Sequence, residues 1–427
     1  MEDFIHLHVH TQYSILDGQS RIPRLVDKAI ADGMKGMAIT DHGVMFGIKD
    51  LCDYCAKVNK GRKKEGLEPF KPIIGCEMYV AHRRKEDREK DKGDMSGYHL
   101  IVLAKNYNGY KNLIKLVSNS WVDGYYMRPR TDRADLEKYH EDLIVCSACI
   151  AGEVPRKILN GDIEGAREAC EWYHRVFGDD YYLELQRHEV TDPSVLANRE
   201  AFPMQQRANK VLIEMSKEYG IKLVCTNDCH FEDKETAEAH DHLLCLATGK
   251  DLDDPNRMRY SKQEWFKTRE EMNAIFSDVP EALSNTLEVL DKVEVYSIDH
   301  GPIMPFFPIP ESFGTEEQLR ERVSEEELYH EFTTDENGQN PLSPEEGQKV
   351  IDRLGGYDKI YRIKFEAEYL RYLADPQKRA LAGVGTPMKE VVWRSSKLNF
   401  ANLNAENAAM MKAAYGKYSR NGSRKLG

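Results

Sequence analysis

Three histidines alternate with apolar residues close to the start of the chain, in HLHVHT (His6 to Thr11), and Asp17 follows in SILDG. Successive side chains of a β-strand point to opposite faces, so a strand here would place His6, His8 and His10 on one side. Imidazole nitrogen is a common ligand of zinc and of other transition metals. The stretch therefore predicts a metal site on one face of the first strand.

Further side chains that can bind metals follow the apolar strands predicted over the first 230 residues. They are Asp41 and His42 after GMAIT, Glu77 after PIIGC, Cys149 after LIVCSA, and Asp228 and His230 after IKLVCT. His99 is an exception, because it begins the predicted strand HLIVLA. The carboxyl ends of the strands of a parallel barrel meet on one face, where active sites are built. The shared position of these residues predicts a single cluster.

Imidazole, carboxylate and thiolate together suit zinc, or manganese or iron where oxygen ligands dominate. The candidate ligands outnumber those that one ion needs, and Glu77 has two oxygens with which to bridge two ions. Two ions roughly 3.5–4 Å apart can stabilise both the attacking and the leaving oxygen of phosphoryl transfer. Phosphoester chemistry is therefore expected, with amidohydrolase-type hydrolysis as the alternative.

Short apolar strands alternate with amphipathic helices in this part of the chain. Ile22, Leu25, Val26 and Ala29 have the spacing of a buried helix face, and Gly33 is a plausible helix stop. Seven strand-like segments are predicted, namely FIHLHV, GMAIT, FKPIIGCEMYV, HLIVLA, DLIVCSA, YYLELQ and IKLVCT. This alternation fits a parallel α/β barrel or a doubly wound sheet. The dinucleotide-binding version is disfavoured, because the first strand is not followed by a glycine-rich phosphate loop.

Composition sets broader limits. The 427 residues carry a formal net charge of −12, which argues against a generally basic nucleic-acid-binding surface but allows a local groove. Apolar runs stay well below the roughly 20 residues of a membrane span. Nine cysteines, an odd number, favour a reducing compartment over a disulfide framework. These features predict a cytoplasmic protein without a membrane partner.

The chain changes character after about residue 290. GPIMPFFPIPESFG is proline-rich and predicts an extended linker, whereas TEEQLRERVSEEELYHEF and KIYRIKFEAEYLRYLA predict helices. Residues 375–427 are basic and weakly patterned. We therefore expect one domain over residues 1–290, a linker and helical segment over 291–374, and a basic tail over 375–427.

The motifs HLHVHT with SILDG, AITDHG, IIGCE, GYHL, CSAC and NDCH, in this order, resemble the PHP (polymerase and histidinol phosphatase) family. The form they resemble is the N-terminal domain of bacterial DNA polymerase III alpha subunits. GYYMRPRTDR and LDDPNRMRYSKQEWF extend the likeness, which covers about residues 4–290 strongly and continues more weakly to about 374. The resemblance implies a distorted (β/α)7 barrel with a trinuclear metal site. No clustered aspartates like those of the polymerase palm are recognised, so we do not expect this chain to polymerise DNA.

The resemblance also implies how nine ligands divide among three divalent ions, Zn2+ or Mn2+, with iron as an alternative. The first ion would bind His8, His10, Glu77 and Asp228, the second Glu77, His99 and Cys149, and the third Asp17, His42 and His230. His6 precedes the paired ligands of the family pattern and is expected not to bind an ion.

The activity implied by the resemblance is a metal-dependent 3′–5′ exonuclease that proofreads the growing DNA strand. Its catalytic residues would be Asp228, His230, Glu77 and His10. Its expected partners are the primer 3′ end of DNA and other replicase subunits, such as a sliding clamp and a separate proofreading subunit.

Contacts with the substrate are predicted in YYMRPR, where Arg128, Arg130 and Tyr126 are candidates for phosphate and base binding. A solvated surface loop is the equal alternative for this stretch. Two alternatives to the exonuclease also stay open. One is a metal-stabilised scaffold domain of the polymerase without activity, and the other is a phosphatase for small molecules, such as a histidinol phosphatase.

Overall fold

The computed structural model describes residues 1–89, 95–300, 309–334 and 342–374. The chain divides into two compact units, Met1–Gly301 and Pro302–Gly427. The basic tail predicted over residues 375–427 lies outside the described residues, as does much of the proline-rich stretch.

The described part of the first unit contains seven strands and ten helices. The strands are β1 (Gly36–Ile39), β2 (Lys71–Val80), β3 (Tyr98–Ala104), β4 (Arg130–Thr131), β5 (Leu143–Cys146), β6 (Tyr181–Leu185) and β7 (Leu223–Cys225). The helices are α1 (Ile22–Ala31), α2 (Ile48–Lys64), α3 (Tyr107–Val122), α4 (Arg133–Lys138), α5 (Glu153–Leu159), α6 (Ile163–Phe177), α7 (Ala201–Tyr219), α8 (Ala237–Thr248), α9 (Arg269–Ile275) and α10 (Pro280–Lys292).

The strands form one mixed sheet in the order β1-β2-β3-β5-β6-β7, with the short β4 paired to β2. β1 and β2 are parallel, and so are β5, β6 and β7. β3 departs from the expected parallel order, because it runs antiparallel to both β2 and β5. Antiparallel pairing needs no crossover helix between the two strands. The mixed α/β class predicted from the sequence is confirmed.

The segment FIHLHV was predicted as the first strand, but it is not a regular strand. The amides of Ala38 and Thr40 are two residues apart in the sequence, yet they donate to the carbonyls of His6 and Val9, which are three apart. The extra residue interrupts the ladder in the manner of a β-bulge. On the other side, Val9 forms a parallel bridge with Cys229. The segment therefore bonds both to β1 and to the residues that follow β7.

Local sequence accounts for the ends of several helices. The predicted apolar face of α1 is buried, from Ile22 to Ala29. Asn106 caps α3 by accepting hydrogen bonds from the amides of Asn108 and Gly109. α7 ends at Gly220, whose φ of 68° is in the left-handed region that glycine adopts without strain.

The described residues of the second unit are mostly helical, as predicted, but the segment TEEQLRERVSEEELYHEF forms two helices with a break at Val323 and Ser324. The helices are α11 (Glu316–Arg322), α12 (Glu325–Thr333), α13 (Pro344–Leu354) and α14 (Tyr357–Ala374). Capping boxes start the first three of these helices, at Thr315, Ser324 and Ser343. The helices enclose a small apolar core of Leu319, Leu328, Phe332, Ile351, Ile360, Tyr361 and Phe365.

Two further findings concern the described residues. Their helices are all too short or too polar to cross a lipid bilayer. The nine cysteines are free thiols, so the fold is held together without disulfides.

Candidate metal centre

The imidazoles of His8 and His10 meet in the interior of the first unit. Their Nε2 atoms lie 3.2 Å apart. Asp228 Oδ1 lies 3.1 Å from His8 Nε2 and 3.2 Å from His10 Nε2. Both rings are fully buried. One ion can bind all three residues, because their ligand atoms lie within 4.8 Å of one another.

Glu77 lies at the centre of the cluster. Its Oε1 lies 2.8 Å from His99 Nδ1 and 3.3 Å from His8 Nε2. Its Oε2 lies 2.5 Å from His42 Nδ1 and 3.6 Å from His10 Nε2. Since both oxygens face imidazole nitrogens, this carboxylate has the geometry of a bridge between two ions.

Asp17 and Cys149 lie at two sides of the cluster. Asp17 Oδ2 lies 2.8 Å from His42 Nε2 and 3.8 Å from His230 Nε2. Cys149 Sγ lies 3.8 Å from His99 Nδ1. The structure thus brings all nine sequence-predicted ligands into one continuous group of side chains.

The ligand atoms form three overlapping groups, which are His8, His10 and Asp228, then His42, Glu77 and His99, and finally His10, His42 and His230. The first group is part of the set predicted for the first ion. His42 belongs to the other two groups, because its Nδ1 faces Glu77 while its Nε2 faces Asp17. The division of the ligands among individual ions therefore stays a prediction.

Three buried polar atoms of the cluster, namely Glu77 Oε2, Asp228 Oδ1 and His42 Nδ1, lie close to imidazole nitrogens or carboxylate oxygens, but none of these contacts has the geometry of a hydrogen bond. Buried polar atoms in proteins are nearly always paired, so three exceptions in one place call for an explanation. Carboxylate oxygens and imidazole nitrogens are acceptors that a divalent cation satisfies. The residues present fit bound metal ions.

The carboxylates of the cluster are held in their ionised form. Burial raises the pKa of Glu77, but the imidazoles of His99 and His42 lower it by more, to well below its usual range. Burial also raises the pKa of Asp228, but the charges of His8 and His230, together with short contacts from neighbouring imidazoles, lower it to well below its usual range. Both side chains are therefore anionic ligands at neutral pH.

Comparison with known proteins decides the family. Residues 6–188 match the family model described as "PHP domain". The chain contains a PHP domain. It is 42% identical over 327 residues to the DNA polymerase III subunit alpha of Borreliella burgdorferi, covering 76% of this chain and 27% of that protein. It is 37% identical over 331 residues to the same subunit of Treponema pallidum, covering 77% of this chain and 26% of that protein. The chain thus spans about a quarter of the length of these relatives.

A solved structure from Bacteroides vulgatus is also similar to this PHP protein. It is a two-domain protein described as containing a predicted PHP-like metal-dependent phosphoesterase. The two chains are 13% identical with a TM-score of 0.27, and the similarity covers 67% of this chain and 65% of the other.

The antiparallel strand β3 explains how His99 reaches the centre of the PHP domain. His99 is at the start of β3 and pairs across the sheet with Tyr79, near the end of β2. Because β3 is reversed, its amino-terminal end lies level with the carboxyl-terminal end of its neighbour. His99, the one candidate ligand that does not follow the carboxyl end of a strand in the sequence, therefore lies at the same edge of the sheet as the other candidates.

Backbone strain is concentrated at the PHP centre. Of the residues other than glycine with positive φ, Asp228 (φ 46°) is itself a candidate ligand, while Leu16 (62°) and Ala148 (61°) directly precede Asp17 and Cys149. Such conformations are costly for residues with a Cβ, and they occur often at functional sites. The surrounding fold therefore holds the backbone at these candidate ligands in conformations that cost free energy.

Sequence reasoning missed several residues that orient the candidate ligands. Glu184 Oε1 lies 2.7 Å from His8 Nδ1, and Ser14 Oγ lies 3.0 Å from His10 Nδ1. Tyr260 donates its hydroxyl proton to Asp17 Oδ1 at 3.2 Å. The sequence held one signal for Glu184, which is a lone carboxylate inside the otherwise apolar strand YYLELQ.

His6 lies apart from this group of side chains. Its Nε2 lies 2.8 Å from the carbonyl oxygen of Lys267, and its ring is 4.1 Å from that of Phe266. Burial lowers the pKa of His6 to about 3, which keeps the ring neutral. The first histidine of HLHVHT is thus a buried packing residue.

The predicted substrate contacts are partly wrong. Arg130 is fully buried, and its guanidinium donates to the carbonyl oxygens of Lys85 and Asp87 at 2.7 and 2.9 Å. A side chain held in this way cannot contact a substrate phosphate. Arg128 is exposed, whereas Tyr126 is half-buried with its ring beneath the Arg130 guanidinium. The contacts of Arg128 and Tyr126 with a substrate stay predictions.

Proposed function

We propose that this PHP domain is a metal-dependent 3′–5′ exonuclease that hydrolyses DNA phosphodiesters within a DNA polymerase III alpha subunit. The observation that carries the proposal is the convergence of all nine candidate ligands around Glu77, where three buried polar atoms make no hydrogen bond of good geometry. The relatives named DNA polymerase III subunit alpha support DNA as the substrate. The similarity to these subunits also supports other replicase subunits, such as a sliding clamp, as partners.

Three divalent ions, zinc or manganese with iron as an alternative, would be held by the nine side chains. Bound divalent ions supply positive charge for the phosphoryl transition state and lower the pKa of bound water. In this assignment His8, His10, Glu77 and Asp228 hold the first ion, Glu77, His99 and Cys149 the second, and Asp17, His42 and His230 the third.

The residues of the chain itself fix the geometry of the site. Glu184 accepts the Nδ1 proton of His8 and so leaves Nε2 free to face Asp228. Tyr260 fixes the carboxylate of Asp17 by donating to it. Because these side chains are held before substrate binds, they need little reorganisation during the reaction.

The reaction class is tested with a primer–template that carries a mismatched 3′ end, incubated with the chain and Mn2+ or Zn2+. The proposal predicts release of mononucleotides from the 3′ end and loss of this release when a chelator is added. A phosphomonoester such as p-nitrophenyl phosphate is the matched substrate for the phosphatase alternative. Cleavage of that substrate without cleavage of DNA would contradict the exonuclease. Tight metal binding without cleavage of either substrate would favour the alternative of a metal-stabilised scaffold domain without activity.

A further inference from the structure

An exposed pair of stacked aromatic rings lies beside the candidate metal centre. The ring centroids of Trp121 and Tyr125 are 5.4 Å apart and the planes are inclined by 17°. The residues are 45% and 48% exposed. Trp121 Nε1 donates at 2.8 Å to the carbonyl oxygen of Gly43, the residue after His42. This pair, which we name the aromatic platform, is therefore anchored to the backbone of a candidate ligand.

A positive charge also lies close to the candidate ligands. The guanidinium carbon of the exposed Arg128 is 5.5 Å from the ring centroid of Tyr79. The Tyr79 ring in turn lies 6.1 Å from the ring of His42 and 5.2 Å from that of His99. Stacking on an aromatic face positions the cation while it stays accessible to solvent. In a chain with a net charge of −12, this local cation is suited to a polyanion.

The loop between the platform and Arg128 is held by buried contacts. Arg130 Nε donates to the carbonyl oxygen of Gly124 at 3.2 Å, while its Nη2 donates to the carbonyls of Lys85 and Asp87. A Cβ added at Gly124 would lie 1.9 Å from the carbonyl oxygen of Arg130, so only glycine allows this close approach. The backbone is thus fixed, although the side chains of Trp121, Tyr125 and Arg128 face solvent.

We propose that Trp121, Tyr125 and Arg128 bind the unpaired bases and the phosphates of a single strand whose 3′ end enters the metal centre. The proposal deepens the exonuclease function and rests on it. Aromatic faces stack on any base, and Arg contacts phosphates without reading sequence. The bases of an intact duplex already stack on one another, so the platform selects a frayed or mismatched end and has no preference for base sequence.

The test measures binding separately from hydrolysis. All variants carry Asp228→Asn in the full chain, and the probe is a short fluorescent oligothymidylate whose anisotropy gives Kd. Tyr125→Ala should raise Kd on the order of tenfold, whereas Tyr125→Phe, which keeps a ring, should stay within about twofold. The matched control is Tyr107→Ala, since Tyr107 is 43% exposed but lies at the other end of α3. It should not change Kd.

A second measurement uses bis(p-nitrophenyl) phosphate and the chain with Asp228 intact. This small diester lacks the further nucleotides that the platform is proposed to bind, so Tyr125→Ala should hydrolyse it at the rate of the unsubstituted chain. An unchanged oligonucleotide Kd in Tyr125→Ala overturns the proposal, as does an equal loss in Tyr107→Ala or a parallel loss of diester hydrolysis. If the unsubstituted chain does not degrade DNA, the proposed exonuclease function is contradicted. The comparison of Kd values still tests whether the aromatic platform binds a single strand.

Discussion

Glu184 Oε1 lies 2.7 Å from His8 Nδ1, and both side chains are fully buried. The carboxylate also accepts from Gln186 Nε2 at 3.0 Å and from Thr226 Oγ1 at 2.5 Å. Glu184 is therefore fixed independently of His8 and sets the orientation and tautomer of the imidazole. A carboxylate behind a ligating histidine typically strengthens metal binding.

Replacing this carboxylate should weaken metal binding without unfolding the domain. We expect Glu184→Gln to lower the affinity for Zn2+ by about 10–100-fold, because the amide no longer draws the Nδ1 proton of His8. Competition with a chromogenic zinc indicator measures the change. The exposed Glu189 provides the control, and Glu189→Gln should bind zinc normally. Equal affinity in the two variants would contradict the role of Glu184.

The hydroxyl of Tyr260 should be needed for activity but not for folding. It lies 3.2 Å from Asp17 Oδ1 and 3.4 Å from His230 Nε2. A hydrogen bond to a charged group contributes about 1.5–3 kcal/mol, so Tyr260→Phe should reduce kcat about tenfold or more. The Tyr296 hydroxyl is buried and has no hydrogen-bond partner in the described structure, which makes Tyr296→Phe the control. If both variants keep full kcat, Tyr260 has no part in the reaction.

Stability should depend on the buried ion pair of Arg257 and Asp241. Arg257 Nη1 and Nη2 lie 2.6 and 2.5 Å from the two oxygens of Asp241, and both side chains are almost fully buried. Removing one partner leaves a buried charge, so Arg257→Ala should lower the free energy of unfolding by about 3–5 kcal/mol. Breaking the more exposed pair of Lys250 and Asp254 with Lys250→Ala should cost at most about 0.5 kcal/mol. Urea denaturation followed by circular dichroism compares the two, and similar losses would be inconsistent with this account.

Metal affinity should rise with pH. Burial lowers the pKa of His230, but the charges of Asp17 and Asp228 raise it by more, to about 9. Burial also lowers the pKa of His42, but Glu77, Tyr79 and Asp17 together raise it to well above its usual range. Without ions these imidazoles are protonated at neutral pH, and each must lose a proton before it binds a metal.

The affinity for Zn2+ should therefore increase from about pH 6 toward about pH 9, with protons released as the ion binds. Titration calorimetry in two buffers of different ionisation enthalpy counts the released protons. Zero proton release at pH 7 would show that the imidazoles are already neutral in the metal-free protein.

The sequence was sufficient to predict which side chains converge, because most of the ligand types recur at the ends of apolar strands and the family resemblance supplies His99. It could not predict the direction of β3, since HLIVLA has the same apolar pattern in either orientation. The burial of Arg130 was equally hidden, because it depends on the carbonyls of Lys85 and Asp87, which are distant in the sequence. Glu184 was missed because strand periodicity does not reveal which side chain lies opposite it.

The irregular path of FIHLHV has the same kind of cause. Its alternation of histidine and apolar residues predicts a strand, and His8 and His10 do point to the same place. The bonds to β1 and to Cys229 on either side, however, impose a bulge that no local pattern specifies. Pairing between segments that are distant in the sequence determines the direction of β3 and the bulge in FIHLHV, which local propensity does not specify.

The most direct test of the account is mononucleotide release from a 3′-mismatched primer by the chain and by its Asp228→Asn variant in Mn2+. The neutral amide keeps the shape of Asp228 but removes the anionic ligand shared by His8 and His10. We expect steady release by the unsubstituted chain and a loss of about 100-fold or more in the variant. Asp253→Asn, which changes an exposed carboxylate, should leave the rate unaltered. Equal release by the chain and by Asp228→Asn would contradict the central claim.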